Sequence, residues 1–317
     1  MPSPLAKACL AVALGCLVLV PRAHSITIRD DVADSNYIAL GAQSTYQAAG
    51  EFTGGFGGTL IADPSGLNEY VITATHLVVA DLIVPGSTTF TIGGNTYNIA
   101  SVTSAPNYNS TDQENDLSIV RLSSPVTGVT PVAYYTGNLE LNQTITMIGY
   151  GLTGTGLTGA TGGAGTRRGA NNVIDVLDAS TISSSLPSTS YLFDFDNPSG
   201  TSNSLSSLNT GGVAHSSPTA LPLEGALASG DSGGGQFATI GGTLYLVGVN
   251  SYIAAPSGNP DATNPNGSYG DIDGATRVSD FSSFIAQTVP EPGSATLLLA
   301  GAGALGSVRR RSKRSAA

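Results

Sequence analysis

The chain has 317 residues, of which 40% are hydrophobic and only 11% are charged, and it contains 41 glycines. Between residues 26 and 288 it carries five arginines, no lysine and twenty-one acidic residues, a net charge of −16. Such a surface repels phosphate backbones and offers no basic stripe to contact them, which excludes nucleic-acid binding.

Short β-prone runs separated by Gly, Asn and Ser turns dominate the sequence between residues 26 and 288. This pattern predicts an all-β fold. No apolar period of helical spacing persists long enough for a bundle, and no segment repeats at the spacing of a solenoid or propeller.

The first 25 residues have the three parts of an export signal. Lys7 supplies the positive start, residues 8–20 form an apolar stretch, and residues 23–25 (Ala-His-Ser) are a small-x-small cleavage site. Both cysteines of the chain, Cys9 and Cys16, fall inside this segment. We therefore expect signal peptidase to remove residues 1–25, which leaves an exported protein without disulfides.

Three motifs contain residues with catalytic chemistry. An apolar strand that begins at Tyr70 runs into His76, Asp116 opens a second apolar strand, and Ser232 lies in a Gly-Asp-Ser-Gly-Gly turn. An imidazole can take the proton of a serine hydroxyl, and a carboxylate fixes the tautomer of that imidazole. These residue types therefore indicate nucleophilic catalysis by a serine.

The order His, Asp, Ser and the local contexts of the three motifs resemble the chymotrypsin (trypsin-like) serine protease family, from about residue 59 to residue 285. The resemblance implies two six-stranded antiparallel Greek-key barrels, roughly 26–140 and 141–288, with the active site between them and a short C-terminal helix. It also implies that His76 is the general base, Asp116 the acid that orients it and Ser232 the nucleophile.

The glycine-rich turn around Ser232 has two further roles by resemblance. The N–H groups of Gly230 and Ser232 would form the oxyanion hole, whose donors contribute roughly 3–4 kcal/mol each in such enzymes. Asp231 would pair with a newly exposed N-terminal amine, and cleavage after Ser25 would expose Ile26, an apolar N-terminus of the expected type. Signal peptidase itself would then generate the activating end.

The substrate pocket is the part of the site on which the sequence leaves two interpretations open. Ala226 stands six residues before Ser232, where trypsin-like members place the acid that attracts Lys or Arg. A side chain at Ile253, where many relatives have glycine, favours small or medium apolar residues before the scissile bond. Alternatively, Asp271 or Asp273 would put a carboxylate at the base of the pocket. The residues implied for the pocket are Ala226, Ser251, Tyr252, Ile253 and Asp273.

Residues 151–172 are rich in Gly, Thr and Ala and contain no core-forming run. This composition predicts a surface loop. Arg167 and Arg168 lie within it, and we expect them to be solvated charges, with a self-cleavage point as the alternative.

The C-terminal 29 residues, 289–317, have the organisation of a sorting signal. A Val-Pro-Glu-Pro motif from Val289 precedes an apolar run at 294–308 and a basic cluster at 309–314. This arrangement resembles a PEP-CTERM signal, which implies transient membrane anchoring, processing by an exosortase and delivery to the cell surface or extracellular matrix of a Gram-negative-type bacterium. The alternative is a plain membrane anchor, and both place residues 26–288 outside the cytoplasm.

The leading hypothesis is an exported serine endopeptidase that hydrolyses protein or peptide substrates through an acyl-enzyme on Ser232. The alternative is a non-catalytic surface-sorted matrix or adhesion protein on the same fold. An α/β-hydrolase esterase is excluded because its histidine would follow the serine, and a metalloprotease lacks its His-Glu-x-x-His motif. We expect no cofactor and no catalytic metal.

Overall fold

The computed structural model describes residues 25–207, 216–254 and 266–289. The predicted leader up to residue 24 and the tail from residue 290 lie outside these ranges. The strands, in chain order, are β1 (Thr27–Ile28), β2 (Ala49–Phe52), β3 (Phe56–Leu60), β4 (Tyr70–Thr73), β5 (Thr89–Ile92), β6 (Asn95–Ser104), β7 (Ser118–Leu122), β8 (Ala133–Tyr134), β9 (Thr144–Gly149), β10 (Gly154–Thr155), β11 (Gly159–Ala160), β12 (Arg168–Val173), β13 (Ser190–Asp194), β14 (Gly225–Ala226), β15 (Gly235–Ile240), β16 (Thr243–Ala254) and β17 (Ile272–Arg277).

Helices are few and short. The α-helices are α1 (Asp34–Gly41), α2 (Thr75–Val79), α3 (Ser204–Ser207) and α4 (Ser282–Thr288), and 3₁₀ turns cover Ser44–Tyr46, Ala179–Thr181 and Val278–Phe281. In the described ranges no helix combines the length and the apolar character that crossing a bilayer requires. The all-β prediction with a short C-terminal helix is therefore confirmed.

The first domain is a closed antiparallel barrel of six strands in the order β2-β3-β4-β7-β6-β5. Its strands turn apolar side chains into the barrel, where Phe52, Leu60, Ile72, Phe90 and Val120 are almost completely buried. Burial of such side chains contributes about 1.5–3 kcal/mol each, which is how a chain poor in charged pairs holds a barrel together.

The second domain is a sheet in which β12, β9, β15, β16, β17 and β13 follow one another, with β8 paired to β16. It curls into a half-barrel rather than closing. At the seam between its edges, the amide nitrogen of Asn172 on β12 donates to the carbonyl oxygen of Asp194 on β13 at 2.8 Å. A side-chain contact thus stands where a backbone ladder would complete a barrel.

A third, small sheet holds the start of the described chain. β1 lies between β10, to which it is parallel, and β14, to which it is antiparallel, and β11 pairs with β10. The prediction that residues 151–172 form a surface loop is therefore wrong: they include β10, β11 and most of β12. The close approach of β10 to β11 needs glycine, because a Cβ on Gly154 would clash with the carbonyl of Gly159.

The last described helix, α4, packs against the apolar core of the first barrel. Ile285 and Val289 belong to the same buried apolar cluster as the residues of the first barrel, and the N–H of Val289 donates to the carbonyl of Ile285 at 2.9 Å. The folded body therefore extends to the residue that precedes the Pro-Glu-Pro of the tail.

Candidate active site

His76 follows directly from a fully buried strand. β4 ends at Thr73, Ala74 is extended, and α2 starts at Thr75, so that His76 occupies the first turn of that helix. The hydroxyl of Thr75 lies 2.8 Å from that of Ser118 on the neighbouring strand β7. These contacts fix the backbone on which the imidazole is carried at the edge of the first barrel.

Asp116 is fully buried and holds His76 at two points. Its Oδ1 accepts the backbone N–H of His76 at 2.8 Å, and its Oδ2 lies 2.7 Å from Nδ1 of the ring. A third donor, the hydroxyl of Ser251, reaches Oδ2 at 2.5 Å. Because carboxylate oxygens accept hydrogen bonds, this geometry assigns the ring proton to Nδ1 and leaves a lone pair on Nε2.

Ser232 lies in a turn that packs against the first barrel. Gly230 and Gly233 have φ values of 96° and 77°, which side chains other than glycine rarely adopt. The carbonyl of Ser232 accepts the N–H of Gly57 at 2.9 Å, and a Cβ on Gly233 would clash with Thr73. The turn therefore lies against strands β3 and β4, next to the helix that carries His76.

Two features of this turn bear on chemistry. Within the described ranges, neither the N–H of Gly230 nor that of Ser232 donates a hydrogen bond to a protein acceptor. In the same ranges, no direct hydrogen bond joins the hydroxyl of Ser232 to the ring of His76. Catalytic hydrogen bonds are often long in the absence of substrate.

Asp231 lies beneath the turn, fully buried against the start of the described chain. Its Oδ2 accepts the backbone N–H of Ile26 at 3.2 Å and that of Ala228 at 2.8 Å, while Oδ1 accepts that of Gly151 at 2.8 Å. Burial raises the pKa of Asp231 to about 7, although hydrogen bonds from backbone N–H groups oppose the rise. Ile26 has a φ of 63°, an outlier for a β-branched residue.

A cavity of about 250 Å³ opens beside Ser232. Of the predicted pocket residues, Ala226 and Asp273 do not line it; they lie behind its wall, where the Oδ2 of Asp273 accepts the N–H of Leu227 at 3.2 Å. Burial raises the pKa of Asp273 well above its ordinary value. Residues lining the cavity are Leu227, Ala228, Ser229, Asp231, Ser232, Asn250, Ser251, Tyr252 and Ile253.

A comparison with protein-family models matches the model described as "Trypsin" to residues 39–285. The chain belongs to the trypsin family. The match includes both domains and all three candidate catalytic residues, so the resemblance stated from the sequence is confirmed.

A second family model, the PEP-CTERM protein-sorting motif, matches residues 288–314 of this trypsin-family chain. The motif implies export and exosortase-mediated sorting to the cell surface. A comparison with curated proteins finds no match.

Sequence reasoning missed two long-range contacts of this trypsin-family chain. Ser251 was assigned only to the pocket, yet its hydroxyl reaches Asp116, 135 residues away. Arg167 and Arg168 are not solvated: Arg168 is fully buried and paired with Asp34. No local signal identifies either partner, because both contacts join distant parts of the chain. His215, the other histidine between residues 26 and 288, lies outside the described residues.

Proposed function

We propose that this trypsin-family chain is an exported serine endopeptidase in which His76, Asp116 and Ser232 carry the reaction. The observation that carries the proposal is that one buried carboxylate, that of Asp116, accepts hydrogen bonds from both the backbone N–H and the Nδ1 of His76. These two hydrogen bonds leave Nε2 as the only basic atom of the ring. The helix that carries His76 lies beside the turn that carries Ser232.

The reaction follows from these roles. Ser232 Oγ attacks the carbonyl carbon of the scissile peptide bond while Nε2 of His76 takes its proton, and the carbonyl electron pair moves onto oxygen. The N–H groups of Gly230 and Ser232 stabilise that oxyanion. When the C–N bond breaks, His76 returns the proton to the leaving amine. Water then attacks the acyl-enzyme by the same route and releases the carboxylic acid product.

We further propose that the active form begins at Ile26, with its α-ammonium group against Asp231. The uncleaved backbone already brings this nitrogen to 3.2 Å from Oδ2, at the cost of a strained φ. Cleavage after Ser25 removes the peptide bond that defines this φ, and the new positive charge favours the ionised form of Asp231. Removal of the leader, residues 1–25, would thus also be the activating step.

The shape of the cavity supports a preference for small or medium apolar residues before the scissile bond. Ile253 lines it, and the carboxyl group of Asp273 lies behind the wall with one oxygen bonded to Leu227. Peptides and proteins are the substrates we expect, outside the cytoplasm, with an exosortase acting on the tail.

Labelling with a fluorophosphonate probe tests the assignment. The exported chain should react at Ser232, and the Ser232→Ala variant should not. Persistent labelling of that variant would reject Ser232 as the nucleophile, whereas no labelling of the wild type would favour the non-catalytic binding module. N-terminal sequencing of the labelled protein tests the activation step, since any start other than Ile26 contradicts it.

A further inference from the structure

The segment that delivers Ile26 to Asp231 has little backbone pairing of its own. β1 contributes only Thr27 and Ile28 to the small sheet, two residue pairs on each side. Burial of Ile26 and Ile28 in an apolar cluster resists its opening, but the backbone pairing itself supplies few hydrogen bonds. Other contacts must therefore hold the segment in place.

One such contact is an ion pair between helix α1 and strand β12 in which the arginine is buried and the aspartate is partly exposed. The guanidinium group of Arg168 is fully buried and donates to both oxygens of Asp34, at 2.6 and 2.7 Å. The helix and strand meet backbone to backbone here, since a Cβ on Gly41 would lie 2.6 Å from the carbonyl carbon of Arg168. A planar guanidinium group bound at two points by a carboxylate fixes orientation as well as distance.

The neighbouring arginine, Arg167, binds the chain between α1 and β2. Arg167 donates to the carbonyl oxygens of Gly41, Tyr46 and Ala49 at 2.6–2.7 Å, and to the hydroxyl of Tyr150 at 2.9 Å. Both arginines therefore attach the stretch between β1 and β2 to the second domain.

The pair at Arg168 is also directly adjacent to the activation site. In the β9–β12 ladder Arg168 faces Gly149, and a Cβ on Gly149 would clash with Asp231 and lie 3.0 Å from Cγ1 of Ile26. Two residues before Arg168, the carbonyl of Thr166 accepts the hydroxyl of Ser25 at 2.7 Å. Strand β12, which carries Arg168, is thus one strand away from Asp231. The residues just before this strand contact Ser25, which precedes Ile26.

We propose that the Arg168–Asp34 ion pair is a positioning pair, which keeps the α-amine of Ile26 seated on Asp231 and so maintains the turn that carries Ser232. This inference rests on the proposed activation by Ile26. Neither residue touches substrate; both act through the N-terminal segment. Weakening the pair raises the fraction of molecules whose amine has left the acid, and those molecules are inactive.

The amino-acid composition provides a direct assay for this seating. No lysine occurs between residues 26 and 288, so a chain that starts at Ile26 and is produced with its tail intact, in a host without an exosortase, has its α-amine and the tail residue Lys313 as its only primary amines. Acetylation by a small amine reagent, followed by mass spectrometry of both sites, measures the accessibility of the α-amine relative to Lys313. The measurement needs no enzymatic activity and works equally in the Ser232→Ala background.

The decisive comparison is Asp34→Asn against Asp31→Asn. Both variants remove one negative charge from the same segment, but Asp31, whose side chain is 43% exposed, is bonded to Arg29 and, among the described residues, accepts no hydrogen bond from strand β12. Asp34→Asn should acetylate at the α-amine about tenfold faster than wild type, whereas Asp31→Asn should stay within about twofold. In Asp34→Asn the alkaline limb of the plot of kcat/KM against pH should also move to lower pH, because an α-amine that pairs less firmly with Asp231 loses its proton more readily.

Each outcome bears on one proposal. A wild-type α-amine as reactive as Lys313 contradicts the activation pair itself. A protected wild-type amine that stays equally protected in Asp34→Asn overturns the positioning role and leaves the activation pair standing. If Asp34→Asn does not fold, Asp34→Glu, which keeps the charge but shifts it by one methylene, takes its place: faster acetylation than wild type supports the role, and an unchanged rate overturns it.

Discussion

The hydroxyl of Ser251 donates to Oδ2 of Asp116 at 2.5 Å, and this is the same oxygen that faces Nδ1 of His76 at 2.7 Å. Ser251 lies on β16 and lines the candidate substrate cavity, so one side chain joins the cavity wall to the carboxylate that contacts His76. The hydrogen bond restrains the buried carboxylate in the position that the imidazole requires.

Ser251→Ala should therefore lower kcat/KM about 10- to 100-fold, since a hydrogen bond to a charged group contributes about 1.5–3 kcal/mol. Steady-state kinetics on a peptide substrate measures the loss. Ser279→Ala is the matched control, because its hydroxyl donates at the same distance, 2.5 Å, to a different buried carboxylate, that of Glu140. Equal losses in both variants would show a general effect of cavity formation instead.

Asp116→Asn removes the charge of the side chain and changes the tautomer of His76 while it keeps the shape of the side chain. The amide keeps the size of the carboxyl group, but its nitrogen would donate toward Nδ1 and force the proton onto Nε2. We expect kcat to fall about 10⁴-fold, as it does when the same change is made in a Ser-His-Asp triad. Retention of more than a tenth of the activity would remove Asp116 from the mechanism. Circular dichroism should report an unchanged fold.

The parts of the site that the sequence predicts are those in which a local motif carries the information. A buried strand that runs into His76, an acid two residues before β7 and a glycine turn around Ser232 can each be recognised within about six residues. The family order then joins them. The closed first barrel follows from the same apolar strands, whose side chains fill its core.

What the sequence does not predict depends on contacts between distant residues or on glycine. Gly154 and Gly159 lack the β-branched residues that indicate strands, yet their missing side chains are what permit β10 and β11 to approach. Arg168 looks like a loop charge because its partner, Asp34, is 134 residues away. The half-barrel is equally non-local, since its open seam depends on where Asn172 meets Asp194.

A group of acidic side chains near the end of β13 should make stability depend on pH. Burial, followed by mutual repulsion, raises the pKa values of Asp175 and Asp196 to about 8, and burial raises that of Asp194 to about 6. Burial likewise raises the pKa of Glu224 to about 7, although Arg29 and backbone hydrogen bonds oppose the rise.

The sign follows from proton linkage. Because these folded-state pKa values lie above the ordinary values near 4, the folded protein retains protons that the unfolded chain releases. The stabilisation is complete below about pH 4 and is lost as pH rises through about 6 to 8. Calorimetry should therefore give a lower Tm at pH 8.5 than at pH 5.5.

Asp196→Asn should reduce this difference, because it removes one group that must ionise in a buried site. Oδ1 of Asp196 has no hydrogen-bond partner among the described residues, so the amide costs no contact there. Asp81→Asn is the control: Asp81 is exposed and has a φ of 57°, which asparagine also tolerates. The same change in pH dependence for both variants would contradict the role of burial.

Ile253 should determine how large a side chain enters the cavity beside Ser232. It lines that cavity and pairs across the β16–β17 ladder with Asp273, whose carboxyl group lies behind the wall. Ile253→Gly removes the side chain that narrows the pocket, and we expect kcat/KM for substrates with Phe before the scissile bond to rise about tenfold relative to Ala. Ile253→Val, which removes one methyl group, should change this ratio little. A different outcome would contradict this prediction: a wild-type preference for Arg or Lys that disappears in Asp273→Asn. It would show that the carboxylate of Asp273 binds the substrate side chain, since a cation in the cavity would stabilise the charged form of that carboxylate.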